Sequence, residues 1–126
     1  MTKGERKYDL GERTARFGIA VVRFAQKIRE DSVTRPLVSQ IVRSGTSVGA
    51  NYAEADNAQS KKDFLHKLYI TKKECAETLH WLRMIASVLP MLRDDAKSLA
   101  NEAKELTFIF SAIIRNSKMN KRDFHC

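Results

Sequence analysis

Three short stretches carry residue types that could do chemistry. Gly45-Thr46-Ser47-Val48-Gly49 spells G-x-S-x-G, the turn that presents a nucleophilic serine in α/β-hydrolases. That chemistry needs the serine on a strand-to-helix corner, with an acid and a histidine arriving from a much larger sheet domain. Here His66, His80 and His125 lie in or after helical patterns and no strand pattern accompanies them, which sets the hydrolase aside. The same glycines are followed by no Gly-Lys-Ser/Thr, so they make no phosphate loop. Glu77 and His80 form one Glu-x-x-His pair, whereas a di-iron bundle needs a second pair and two more inward glutamates. A solvent-facing ion pair is the expected use of these two. Cys75 falls on an apolar stripe and reads as a small buried hydrophobe rather than a nucleophile. The sequence thus predicts no enzyme, no cofactor and no metal site.

Binding chemistry has better material. Arg16, Arg23 and Lys27 share one face of a periodic segment, and Lys62, His66, Tyr69 and Lys73 share a face of another. Clustered cations displace counterions from phosphates, and a tyrosine among them offers a ring for base stacking. Acidic residues are interspersed, so a plain solvated face is the alternative for each stripe.

A second constellation runs from Gln40 through Ser44, Ser47 and Asn51 to Glu54 at steps of four, three, four and three. Beside it, Gly45, Gly49 and Ala53 leave a nearly bare ridge along which another backbone could come close. Either the polar stripe faces water, or this segment packs on two sides, once in its own bundle and once against another subunit. In the second case Arg43, Asn51 and Glu54 should pair with groups such as Glu74 or Lys73, because a buried charge left alone is costly.

These residues must be positioned by helices. Leu10, Thr14, Phe17, Val21, Phe24 and Ile28 recur at steps of four and three and predict a helix over 9–31. Ser32 to Thr34 supply start signals and Pro36 suits a first turn, opening a second helix over 35–58. Gly45 and Gly49 weaken it by about 1 kcal/mol each relative to alanine, so a loop there is the competing reading. Ser60 and Asp63 resemble a capping box ahead of a third helix over 61–89, which Pro90 ends. Ala96, Leu99, Ala103, Leu106, Phe110 and Ile113 predict a fourth over 93–117. Four amphipathic helices joined by short links predict an all-α, antiparallel up-down-up-down four-helix bundle, with 1–126 as a single domain.

Composition agrees. The chain has 126 residues, 43% hydrophobic and 30% charged, values of a soluble globular domain rather than a disordered one. No apolar run is long enough to span a bilayer, and the first eight residues are polar with no apolar core behind them, so a cytoplasmic protein without a membrane partner is expected. Cys75 and Cys126 form no closely spaced pair. The net charge is +8, of which 1–8 and 116–126 carry +2 each as basic tails, leaving +4 for the body.

The stretch 40–84 also resembles a known family. Its carriers are Arg43-Ser44, Ser47-Val48, the run Asn51-Tyr52-Ala53-Glu54, Lys62-Asp63-Phe64, and Glu74 followed by Trp81-Leu82. Together they resemble the bacterial four-helix-bundle proteins found in intervening sequences of 23S ribosomal RNA genes. The resemblance implies a cytosolic bundle that assembles into a homopentameric ring. It also implies kinship in fold with the accessory variability protein of diversity-generating retroelements, a basic barrel that binds its reverse transcriptase and nucleic acid. The expected function is a non-enzymatic homo-oligomer that binds RNA or other single-stranded nucleic acid through Arg16, Arg23, Lys27, Lys62, Tyr69 and Lys73. Its interface residues would be Arg43, Ser44, Gly45, Ser47, Gly49, Asn51, Glu54 and Glu74. The alternative is an adaptor that docks a protein partner such as a nucleic-acid enzyme.

Overall fold

The structure, a computed structural model, describes residues 9–119. Of the two expected basic tails, 1–8 and 120–126 lie outside the described residues. Four helices follow one another: α1 (Leu10–Gln26), α2 (Thr34–Asp56), α3 (Lys61–Val88) and α4 (Arg93–Met119), with a single 3-10 turn, Pro90–Leu92, before the last.

Helix α1 begins where the Asp9 carboxylate accepts the Glu12 N–H at 3.1 Å. It ends at Gln26, five residues short of the expected Asp31. The reason is local competition for backbone groups. The Asp31 carboxylate accepts the N–H groups of Thr34 and Val33, each at 2.8 Å. Thr34 returns the favour by accepting the Asp31 N–H at 2.9 Å. This reciprocal box starts α2 and holds 29–33 out of the first helix. The Thr34 and Val33 donors also keep the Asp31 carboxyl below its usual range. Ile28 stays buried although it lies past the helix end.

Helix α2 runs unbroken through Gly45 and Gly49, which excludes the loop alternative. Helix α3 starts as the sequence suggests, with the Ser60 hydroxyl accepting the Asp63 N–H at 3.1 Å. It stops before Pro90, whose fixed φ opens the 3-10 turn.

Consecutive helices pack closely, α1 meets α4 more sparsely, and the backbones of the diagonal pairs stay apart. The result is an antiparallel, square-sectioned bundle. Phe110, Ile41, Leu68, Leu82, Ile85, Leu106, Val21 and Val48 fill its centre. Tyr52 and Phe110 meet across the diagonal with ring centroids 5.9 Å apart. Among the described residues no helix is long and apolar enough to cross a membrane.

The bare ridge of α2 lies against α1 of the same chain. A Cβ on Gly45 would come within 2.6 Å of the Val21 side chain, and one on Gly49 would come within 3.3 Å of the Thr14 carbonyl oxygen. From the other side, a Cβ on Gly18 would sit 3.5 Å from the Thr46 Cα. Glycine here permits close backbone approach inside the bundle, so Gly45 and Gly49 are committed before any second subunit arrives.

Gly45→Ala should therefore destabilise the fold by about 1–2 kcal/mol, the overpacking cost exceeding alanine's helix advantage. Gly11→Ala, where the new Cβ meets only Asp9 at 3.5 Å, should be neutral or stabilising. Urea unfolding of the two variants checks the opposite signs, and a Gly45→Ala protein as stable as the parent would refute close packing at that point.

Candidate functional site

The polar stripe of α2 divides by depth. Ser44 is fully buried against α3, and its hydroxyl lies 2.9 Å from that of Thr78, which is also 2.8 Å from the Glu74 carbonyl. Arg43 reaches the Glu74 carboxylate at 3.3 Å, forms a second ion pair with Glu77, and donates from Nε to Gln40 at 3.2 Å. The Glu74 side chain is only 11% exposed, so its charge is held beside a cation as a buried carboxylate requires. Glu54 pairs across the seam with Lys67 at 2.7 Å rather than with Lys73. Ser47 and Asn51 turn back on their own helix: Ser47 donates to the Arg43 carbonyl at 2.6 Å and Asn51 to the Ser47 carbonyl at 2.9 Å. The α2–α3 seam thus satisfies Arg43, Ser44 and Glu74 within one chain.

The motifs that suggest catalysis sit in the wrong geometry for it. Gly45 to Gly49 is mid-helix, so Ser47 has no exposed corner. Glu77 does not pair with His80 as expected. It is held by Arg43 and accepts the Trp81 indole N–H at 3.4 Å, while His80 packs edge-on against Trp81 at 4.8 Å. Among the described residues no three His, Cys, Asp or Glu side chains converge as metal ligands. Burial pushes the Cys75 thiol up to about 12, partly opposed by a hydrogen bond with Thr107.

The basic candidates fall on two faces. On α1 Arg16 is bonded to Glu12 at 3.1 Å, and Lys27, which caps the end of that helix, to Asp95 at 2.9 Å. Among the described residues Arg23, between them, has no carboxylate partner, and the three line a shallow groove toward α4 with Ile19 and Phe24. On α3, Lys62, Tyr69 and Lys73 are exposed, with Tyr69 at 43%. The structure adds Lys118 of α4, whose ammonium stands 5.1 Å from the centre of the Tyr69 ring.

Sequence reasoning missed a further basic surface. Arg83 of α3 and Arg93, Lys97 and Lys104 of α4 line a groove floored by leucines and alanines, and no carboxylate lines it. None of the four is ion-paired among the described residues. The spacing of the α4 cations was legible, since steps of four and seven keep residues on one side of a helix. Their alignment with Arg83 depends on the register between two helices, which no local pattern prints.

Two measurements follow from this geometry. Arg43→Ala should cost about 1–2 kcal/mol by leaving Glu74 buried without its cation, whereas Arg16→Ala, in an exposed pair, should change stability by less than about 0.5 kcal/mol. Equal losses in thermal or urea unfolding would contradict the difference. At pH 8 the native Cys75 thiol, far below its titration point, should resist iodoacetamide and react only after unfolding. Peptide mapping that finds Cys75 rapidly alkylated in the native protein would contradict its burial.

Comparison with known proteins completes the site. The sequence model of the 23S rRNA-intervening sequence protein family matches residues 6–112. Among solved structures, the chain is similar to a protein of unknown function from the S23 ribosomal protein family of Bacteroides thetaiotaomicron. The two are 33% identical and superpose with a TM-score of 0.76, over 82% of this chain and 96% of that one. No curated protein matches the chain. With the bundle, the Arg43–Glu74 seam and a family match over most of its length, the chain belongs to the 23S rRNA-intervening sequence protein family.

Proposed function

We propose that the protein is a non-enzymatic, self-associating bundle that binds nucleic acid through basic surfaces repeated around the assembly. The observation that carries this reading is the Tyr69 ring, exposed on α3 among Lys62 and Lys73, with Lys118 brought against it from α4. A ring among cations suits a base and its phosphates together. Arg16, Arg23 and Lys27 supply a second, weaker patch, since Glu12 and Asp95 already neutralise two of them.

Assembly turns modest patches into a strong site, because each further contact on the same strand is intramolecular. A ring of five copies, the state implied by the family resemblance, would present five such faces. Support for self-association comes from the shallow groove over α1 and α2, where Ile19 is 51% exposed beside Ala15, Ala50 and Ala53. The same groove favours the second reading, an adaptor that docks a protein partner there while the cations serve solubility. The cytoplasm suits either role.

Fluorescence anisotropy with labelled RNA separates the two. Nucleic-acid binding should weaken steeply with salt, the logarithm of affinity falling by about 0.7 per neutralised phosphate for each tenfold rise in salt on a single strand. Affinity that is absent at micromolar protein, or indifferent to salt, would remove the nucleic-acid reading and leave the adaptor.

A further inference from the structure

We propose that the face shared by α3 and α4 is a track for single-stranded nucleic acid, with phosphates on Arg83, Arg93, Lys97 and Lys104 and bases on the rings of Tyr69 and Phe108. It rests on the nucleic-acid reading above and gives that reading a place and a ligand class.

Charge complementarity selects this face. On α4, Arg93, Lys97, Lys104, Arg115 and Lys118 fall within about a quarter of the helix circumference at 3.6 residues per turn, and the other residues in that arc are Ala100, Phe108 and Ser111. The arc holds no carboxylate. Across the groove Arg83 adds a cation, and the floor of Leu79, Ala86 and Ala100 adds none of the opposite sign. The α1 groove differs, because Asp95 lines it and Glu12 holds Arg16. Unpaired cations release the most counterions when they meet phosphates.

The rings select an unpaired strand. Phe108 is 73% exposed and Tyr69 43% exposed, so both present ring surface to solvent, with Lys118 standing over one side of the Tyr69 ring. In a duplex the bases stack on one another, whereas a single strand can splay them onto aromatic side chains. The length also fits. From Arg93 to Lys118 the helix rises roughly 37 Å at 1.5 Å per residue, room for about six nucleotides of an extended, unstacked strand.

The test uses the full chain and labelled oligo-uridylates of 4, 8, 12 and 20 nucleotides, with a 20-base-pair RNA duplex, in anisotropy titrations. Affinity should rise with length to about six nucleotides and then level, and the duplex should bind at least about tenfold more weakly than the 20-mer. Lys97→Gln/Lys104→Gln should lower the salt slope by about 1.4, two phosphates' worth for a single strand. Phe108→Ala should lose at least about fivefold in affinity with its salt slope unchanged. Arg29→Gln/Arg35→Gln, which removes two charges elsewhere, should bind within about twofold of the parent, and circular dichroism confirms each fold. If Lys97→Gln/Lys104→Gln binds as the parent does, or the duplex binds as tightly as the 20-mer, the track is overturned while nucleic-acid binding stands. If the parent binds no oligonucleotide at any length, the reading beneath it falls instead. A groove that ignores RNA but captures an acidic amphipathic peptide belongs to a protein partner and overturns both.

Discussion

Gly45 has no side chain, and Val21 occupies the space that one would need. Gly18 and Gly49 continue the same relation toward the start of α1, so the two helices lie close where Thr14 to Val21 faces Gly45 to Gly49. Much else depends on that contact. Helix α1 meets α4 more sparsely, and charge pairs help to close that fourth side of the square. Arg13 grips Glu102 with two bonds of 2.8 Å, and Lys27 reaches Asp95 at 2.9 Å. The opposite side of α2 is fixed to α3 by Ser44 and Thr78 in the interior and by Arg43 with Glu74 and Glu77 nearer the surface.

These ties explain where the excess positive charge ends up. Glu54, Glu74, Glu77, Asp95 and Glu102 are each committed to holding one helix to another. Carboxylates used as braces cannot also screen the outer cations. Among the described residues no carboxylate brace crosses the outer face of α3 and α4, and Arg83, Arg93, Lys97 and Lys104 stand there without an ion-pair partner, with Tyr69 and Phe108 exposed on the same side. A chain of modest net charge can in this way present one strongly basic surface.

The periodic stripes, the Ser60 cap and the Arg43 to Glu74 pairing were legible because each is a matter of spacing along one helix or of charge that burial forces into a pair. The early end of α1 was not. The six-residue stripe from Leu10 to Ile28 continues past the true terminus, and only the Asp31 and Thr34 exchange, a turn of a few residues, stops it. The glycine ridge was legible as a close approach but not as one made to α1, because small residues announce contact without naming the partner. Glu77 illustrates the same limit. Its nearest sequence candidate was His80, yet a guanidinium from the neighbouring helix claims it. The basic groove of Arg83, Arg93, Lys97 and Lys104 needed the register of α3 against α4, a tertiary quantity.

The bundle joins two surfaces of different character: a smooth, small-residue face on α1 and α2 that suits another protein surface, and a basic, aromatic face on α3 and α4 that suits phosphates and bases. Under the proposed function their combination would make a subunit whose binding strength comes from repetition. Native mass spectrometry of the purified protein, before and after nuclease treatment, tests that claim most directly. The expected result is a multiple of the 14.4 kDa chain, with five copies favoured, carrying extra mass that nuclease removes. A single 14.4 kDa chain whose mass is the same before and after treatment would contradict it.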